Sequence, residues 1–326
     1  MPAEAASLLI DVHHHILPPV YVRTLGERLG IQGLFGSAQW DVSRSLESMD
    51  RNGIATAFTS ISGPGFWFGN ADETSGLVRE CNDFAAAMRQ ENPARFGVFA
   101  SLPLPDIDAS LREIEHAFDN LSADGVTLYT NYDGKYPGDA HFQPLFQELN
   151  RRKAVVFFHP NEPSYGRFPQ NIPAPTLEYP FETTRAATSL LFGGTLASCH
   201  DIRFIFPHAG GTLPYLAERI ARLSMNPDYQ RKAPDGVIPE LRRLYFDVAI
   251  SVNPIAFGSL LQLIAPSNAL FGSDYPHAGE ATMSATVSGL HKLGLAAEAV
   301  KGIQRDNAVR LFPRLRDATP RNHPAA

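Results

Sequence analysis

The stretch "IDVHHHILPP" occupies residues 10–19 and shows how this chain closes its apolar runs with polar residues. The apolar run starts at residue 8, and histidines and then two prolines follow it. Apolar runs of roughly four to eight residues, bounded by turn residues, are typical of strands buried on both faces, as in parallel sheets. Residues 8–13 are the first of eight such runs. The other seven are residues 55–62, 96–102, 125–130, 154–159, 202–208, 244–250 and 269–274.

Helical patterns separate these predicted strands. They cover residues 74–90, 110–120, 142–152, 183–200, 213–222, 255–264 and 281–293, and a last one at 296–312 is expected to close the barrel. Strands that alternate with helices predict a parallel sheet. Eight strand–helix units in a chain of 326 residues predict an α/β fold, a (β/α)8 TIM barrel, as a single domain over residues 1–326.

Three segments interrupt this alternation. Residues 160–180 are rich in proline and too long for a routine connection, so we expect a functional loop over the active site. Residues 226–239 are predicted to be irregular, and the tail from about residue 319 is predicted to be frayed. No linker divides the chain, and no internal repeat is visible.

The composition limits the classes of function. The chain is 44% hydrophobic and 19% charged, with a formal net charge of −6. No cluster of basic residues predicts nucleic-acid binding. The two cysteines, Cys81 and Cys199, predict neither a disulfide framework nor a cysteine-based zinc site. No apolar run is long enough to span a membrane and no signal peptide is recognisable, so we expect a cytoplasmic protein.

Polar residues close four of the predicted strands. His13 and His15 end the first strand, His159 the fifth, His208 the sixth and Asp274 the eighth. The carboxyl ends of barrel strands converge on one face, where active sites lie. Each of these residues alone is more often structural, and Asp274 alone could cap a helix. Together they predict a site on that face.

The side chains at this face suit a divalent transition metal, because imidazole and carboxylate groups bind Zn2+ or Mn2+ well. In a strand, residues two apart lie on one face. His13 and His15 are therefore expected to face the metal together. His14 is expected to point away, supporting the site or packing outside it. The run is embedded in a strand, which argues against a tag fragment.

These segments resemble the metal-dependent amidohydrolase superfamily, and in particular its branch of aminocarboxymuconate-semialdehyde decarboxylases. The resemblance rests on "IDVHHHILP", "WDVSRSLESMDRNGIATAFTSIS", "VVFFHP", "FIFPHAGGTLPYLAERI" and "ALFGSDYP", which together extend over residues 8–312. The segment at residues 125–160, "GVTLYTNYDGKYPGDAHFQPLFQELNRRKAVVFFHP", is also similar to decarboxylases of the salicylate type, including 6-methylsalicylate decarboxylases.

The resemblance implies roles for several residues. The metal ligands would be His13, His15, His159 and Asp274, with Zn2+ favoured and Mn2+ as the alternative. His208 matches the histidine that hydrogen-bonds the water held by the metal. Many superfamily members add a carboxylated lysine on the fourth strand, but "GVTLYT" contains no lysine, so a single metal is expected.

The resemblance also bears on substrate and assembly. Arg219 matches an arginine that enters a neighbouring subunit's active site, which implies a homodimer or higher homo-oligomer. A solvated helix residue is the alternative interpretation. The branch also carries an arginine before its "WD" segment that binds a substrate carboxylate. Here "GLFGSAQWD" has none, which favours a smaller aromatic acid over a muconate.

Further residues after the strand ends are candidates for substrate binding. The candidates are Phe66 and Trp67, Tyr129 and Asn131, Asn161, and His277 near Asp274. The aromatic pair could wall a pocket for a flat substrate, or form a plug or subunit contact. The residues after the fifth strand, Asn161, Glu162 and Tyr165, could equally make turns.

The expected function is metal-dependent nonoxidative decarboxylation of an o-hydroxybenzoate-like or related unsaturated carboxylic acid. Asp274 is predicted to give the proton to carbon, and His208 to orient water or relay the proton. No dinucleotide-binding fingerprint follows any strand. Two alternatives remain: a hydrolase or hydratase of a lactone, an amide or a ring-cleavage product, and a scaffold stabilised by a closed structural metal site.

Overall fold

Eight parallel strands form one sheet. The structure is a computed structural model, and it describes residues 9–30, 40–164 and 172–316. Residue 8, most of "GLFGSAQWD", Tyr165 and the tail from residue 319 lie outside these ranges. The strands follow one another around the sheet in chain order. They are β1 Leu9–His15, β2 Ile54–Ser60, β3 Phe96–Ala100, β4 Gly125–Tyr129, β5 Val155–His159, β6 Arg203–Phe206, β7 Tyr245–Asp247 and β8 Ala269–Leu270.

Backbone hydrogen bonds between β1 and the residues after β8 complete the ring of strands. Val12 N donates to Phe271 O at 3.0 Å, and His15 N donates to Tyr275 O at 2.7 Å. Asp274 N donates in turn to the carbonyl of His13 at 2.8 Å. The predicted barrel is therefore confirmed, and these bonds place Asp274 directly beside the end of β1.

Fourteen α-helices lie in the described part of the chain. They are α1 Pro19–Leu29, α2 Val42–Arg51, α3 Ala71–Glu91, α4 Ile107–Glu115, α5 Gln143–Arg151, α6 Ala174–Gly193, α7 Thr195–Ser198, α8 Leu213–Ala221, α9 Pro227–Gln230, α10 Val237–Arg242, α11 Ala256–Leu263, α12 Glu280–Leu290, α13 Ala297–Lys301 and α14 Asn307–Leu311. Within the described residues, no helix is both long and apolar enough to cross a membrane.

Two proline-containing segments that were predicted to be irregular are partly helical. The supposed loop at 160–180 contains the start of α6, whose Pro175 lies in the first turn, where a missing N–H costs nothing. The supposedly irregular 226–239 contains α9 and the start of α10. Pro227 opens α9 in the same way.

Helix ends also differ from the predictions. The helix predicted at 183–200 is two helices, because Gly194 at φ +85° ends α6 before α7 begins. The terminal pattern at 296–312 is likewise divided, by a π-helical turn at Gly302–Asp306.

The barrel interior is filled with aromatic rings. Phe58, Phe99 and Phe157 project from three strands, and Phe157 lies under His13 at 4.9 Å between ring centroids. From the C-terminal segment, Phe312 stacks on Phe58 at 3.9 Å. These rings therefore pack the barrel interior beneath His13.

Candidate metal centre

Four buried side chains converge where β1, β5 and the segment after β8 end. They belong to His13, His15, His159 and Asp274, and one donor atom from each lies within 4.8 Å of all the others. The structure therefore brings together the four residues that were predicted from the strand ends. His14, between the two β1 histidines, points to the opposite side of the strand, where it meets Asp11 and Ser45.

The four donor atoms face one another at short distances. Nε2 of His13 lies 3.0 Å from Nε2 of His15. Oδ1 of Asp274 lies 3.0 Å from the His15 nitrogen and 3.2 Å from the His13 nitrogen. Nitrogen and oxygen donor atoms that converge in this way suit a cation between them. Three imidazoles and a carboxylate are a donor set that fits a divalent metal.

A buried carboxylate on β7 orients His13. Nδ1 of His13 donates to Oδ2 of Asp247 at 2.9 Å, which turns Nε2 towards the centre. The other oxygen, Oδ1, accepts from the backbone N–H groups of His208 at 3.1 Å and Ala249 at 2.9 Å. Asp247 was not predicted as a site residue. A charged residue inside the apolar strand "LYFDVAI" is the sequence feature that could have indicated it.

The other two imidazoles are oriented through Nδ1 as well. Nδ1 of His15 lies 3.1 Å from Oγ of Ser60, and Nδ1 of His159 donates to the carbonyl of Pro160 at 2.8 Å. In each ring this engagement leaves Nε2 to face the centre.

Burial and charge set the proton distribution. Burial opposes a charge on His13, but Asp247 and Asp274 outweigh it and raise the pKa of His13 to about 10. Burial lowers the pKa of His15 to about 3 and holds that of His159 well below its usual value. Burial alone would raise the pKa of Asp274, but the charge on His13 and three histidine hydrogen bonds hold it well below the ordinary range. His15 and His159 therefore keep free lone pairs.

His208 lies beside the other face of the Asp274 carboxylate. Its Nε2 is 3.4 Å from Oδ2 of Asp274, whereas Oδ1 faces the β1 histidines. β6 ends at Phe206, two residues before the predicted end, and a 3-10 turn at His208–Gly210 follows. His208 adopts φ +54°, so the turn rather than the strand aims its ring at the centre.

The centre opens into a cavity of about 570 Å3. Its polar end is formed by His159, His208 and Asp274, and His277 lines it as predicted. The hydroxyl of Ser62 lies 2.7 Å from Nε2 of His277. The remaining wall is mainly apolar and comes from α6 and from the segments after β7 and β8, with Pro175, Tyr179, Pro180, Ile250, Ala256 and Ala278. Residues 160–180 were expected to cover the active site, but none of the α6 residues was predicted to contact the substrate.

Five predicted substrate residues lie elsewhere. A separate cavity of about 120 Å3 is lined by Phe66, Trp67, Tyr129, Asn131 and Asn161. Their polar groups are used internally: the Tyr129 hydroxyl donates to Ile61 O at 3.0 Å, and the Asn131 amide donates to Glu182 at 2.8 Å. The structure therefore places these five side chains at a different cavity from the one that opens from the metal centre.

Arg219 lies in α8 with its side chain exposed to solvent. It is not among the described residues that line the cavity of its own chain. Its exposure is compatible with either interpretation of this residue, as a solvated helix residue or as an interface residue.

Comparisons with known proteins agree with this geometry. The family model described as Amidohydrolase matches residues 10–314. Decarboxylase yanB of Aspergillus niger is 39% identical, over 94% of this chain and 87% of its own length. The 6-methylsalicylic acid decarboxylase of Penicillium expansum is 37% identical, over 94% and 97% respectively. A crystal structure of an amidohydrolase II superimposes with a TM-score of 0.87 at 32% identity, covering 94% of this chain and 99% of that one. The chain belongs to the amidohydrolase family.

Proposed function

We propose that this chain is a metal-dependent nonoxidative decarboxylase of a small aromatic acid of the o-hydroxybenzoate type. The observation that carries the proposal is the buried group of His13, His15, His159 and Asp274, which opens into a cavity with a largely apolar wall. Relatives at 37–39% identity that are decarboxylases, one of them of 6-methylsalicylic acid, support the reaction type and the substrate class.

The metal would be held by the three Nε2 atoms and Oδ1 of Asp274. We propose Zn2+, because imidazole and carboxylate groups are among its usual ligands, with Mn2+ as the alternative. When bound, the metal supplies a Lewis acid that stabilises the negative charge of the substrate's oxygens. The rest of the chemistry falls to the chain's own side chains.

The two carboxylate oxygens of Asp274 have different roles. Oδ1 faces the ligand nitrogens, and Oδ2 faces His208 at 3.4 Å. His208 passes a proton to Oδ2, and Asp274 delivers it to the ring carbon that carries the carboxylate. The bond from that carbon to the carboxylate then breaks, CO2 leaves, and the bond's electron pair restores the aromatic ring.

The cavity walls favour a flat, largely apolar ring. Pro175, Pro180, Ile250 and Ala278 supply apolar surface, while His277 and Tyr179 add polar groups. A volume of about 570 Å3 is in the usual range for a small-molecule site. A benzoic acid with one or two small substituents fits this description better than a long or branched substrate.

We further propose that α8 lies at a subunit interface in a homodimer or higher oligomer. Large apolar side chains near Arg219 are exposed, since Tyr215 is 84%, Met225 85% and Ile255 87% accessible. Such residues are typical of contact surfaces. In this arrangement Arg219 would reach a neighbouring subunit's cavity. Light scattering of wild type and Arg219→Ala, combined with turnover, tests this: a fully active monomer would contradict it.

The decisive experiment combines metal analysis with a substrate panel. Purified protein is expected to contain about one Zn2+ or Mn2+ per chain and to convert salicylate-type acids to CO2 and the corresponding phenol. His159→Ala should remove both metal and turnover, whereas His116→Ala, at a half-buried histidine outside the cluster of donor atoms, should change neither. A metal-loaded chain that hydrolyses lactones or amides but releases no CO2 would establish the hydrolase alternative instead.

A further inference from the structure

A second polar network lies on the outer side of β1, away from the cavity. Its central residues, Asp11 and His14, are completely buried, and none of its side chains lines the cavity. We propose that His14 and Asp11 are positioning residues, which fix the turn that presents Asp274 to the metal. The inference rests on the metal site of the proposed function, and it gives a defined role to His14, which was expected to support the site or to pack outside it.

The network has one consistent assignment of donors. Nε1 of Trp40 can only donate, and it lies 3.0 Å from Oγ of Ser45. The Ser45 hydroxyl then donates to Nε2 of His14 at 3.1 Å. Nδ1 of His14 donates to Oδ2 of Asp11 at 3.1 Å. Each of these polar side-chain atoms of Ser45, His14 and Asp11 has a hydrogen-bond partner. A substitution at any of these residues therefore leaves a buried polar group without a partner.

Asp11 joins β1 to the segment after β8. Oδ1 accepts from the backbone N–H groups of His13 and Ser273, each at 3.0 Å. Oδ2 accepts from the Ser273 hydroxyl at 2.6 Å as well as from His14. A buried carboxylate with four donors is firmly held. The Asp11 side chain therefore holds the backbone at His13 in β1 and the backbone beside Asp274 in the segment after β8.

The turn at residues 273–275 depends on these contacts. Asp274 adopts φ +60°, a conformation that a residue with a side chain rarely takes. Before it, Ser273 Oγ accepts from the backbone N–H of Tyr275 at 3.1 Å. After it, the Tyr275 ring stacks on His14 at 4.9 Å. Both flanks of Asp274 are thus held by the outer network, and a looser network would let its carboxylate move away from the centre.

The test uses cobalt as a metal probe, since the visible spectrum of bound Co2+ depends on ligand geometry. His14→Phe keeps a ring to stack on Tyr275 but removes both hydrogen bonds. Ser45→Ala breaks the network one residue further out. Leu149→Ala, a fully buried position on α5, controls for general destabilisation. Each folded protein is loaded with Co2+, its spectrum is recorded, and release to a coloured chelator is timed.

We expect both network variants to shift the cobalt spectrum and to release metal about 10-fold faster or more, the range seen when partners of metal ligands are lost. Leu149→Ala should lower the melting temperature without either effect. A wild-type spectrum and release rate in His14→Phe, or equal effects in Leu149→Ala, would overturn the proposal. If His14→Phe does not fold, Ser45→Ala decides the question.

The outcome is separable from that of the proposed function. A wild-type chain that binds Co2+ yet releases no CO2 from any aromatic acid would contradict the decarboxylase proposal, while the network test would still stand. A wild-type chain that takes up no Co2+ would overturn the network proposal together with the metal site.

Discussion

Asp247 accepts a hydrogen bond from Nδ1 of His13 at 2.9 Å, although 234 positions separate the two residues in the chain. Both side chains are fully buried, and the carboxylate also accepts from the backbone of His208. Asp247 therefore connects a proposed metal ligand with the histidine beside Asp274, and it does so without facing the cavity itself.

Replacing Asp247 should weaken metal binding while leaving all four ligands in place. In Asp247→Asn, the amide nitrogen would face either His13 or the backbone N–H groups, so one donor would oppose another. We expect metal affinity to fall by about 10- to 100-fold, measured by competition with a chelator. Asp228→Asn, at an exposed position on α9, is the control. Unchanged affinity in Asp247→Asn would show that this hydrogen bond does not orient His13.

The second prediction follows from the alternation of side chains along β1, which places His13 and His15 on one face and His14 on the other. His13→Ala and His15→Ala should each lose the metal on dialysis, because each removes a donor from the centre. His14→Ala should keep about one metal per chain when metal is in excess, although it should release that metal faster. Metal content by mass spectrometry, with folding checked by circular dichroism, decides between the residues. Equal loss of metal in all three variants would contradict the division of faces.

Features of the fold and the site that depend on nearby residues could be predicted from the sequence, whereas contacts between distant segments could not. The eight apolar runs and the parity of His13 and His15 are local patterns, and barrel topology then brings distant strand ends together. The partner of His13 was not predictable, because pairing with Asp247 depends on the three-dimensional ring of strands. Tyr129 ends β4 as a site residue would, yet its hydroxyl donates to the loop carbonyl of Ile61. Oligomeric state and cytoplasmic location stay predictions.

Asp274 should be needed for proton transfer beyond any role in binding. Asp274→Asn keeps an oxygen for the metal but cannot carry a proton to carbon. We expect turnover to be abolished while some substrate binding remains, measured by calorimetry with an o-hydroxybenzoate. Ser288→Ala, at an exposed position on α12, provides a control for handling and folding. Full activity of Asp274→Asn would refute the proton role.

An ion-pair cluster on α5 should make stability depend on pH. Hydrogen bonds from Arg151, and secondarily from Arg152, lower the pKa of Glu148 to about 2. A lowered pKa stabilises the fold above the unfolded value of about 4.5, and this contribution is lost as pH falls towards 2. Glu148→Gln should therefore lower the melting temperature at pH 7 by about 2 °C, and the difference from wild type should shrink below pH 4.5. A Glu148→Gln variant that melts at the wild-type temperature at pH 7 would contradict this prediction.

The assignment of the substrate cavity can be tested by comparing two aromatic positions. His277 lines the larger cavity and hydrogen-bonds Ser62, whereas Trp67 lines the smaller one. His277→Ala should raise KM for an aromatic acid by about 10-fold, since it removes wall surface and a polar partner, with a smaller effect on kcat. Trp67→Ala should leave KM unchanged in steady-state assays. If Trp67→Ala raises KM and His277→Ala does not, the substrate ring occupies the smaller cavity, and the aromatic residues after β2 form its wall after all.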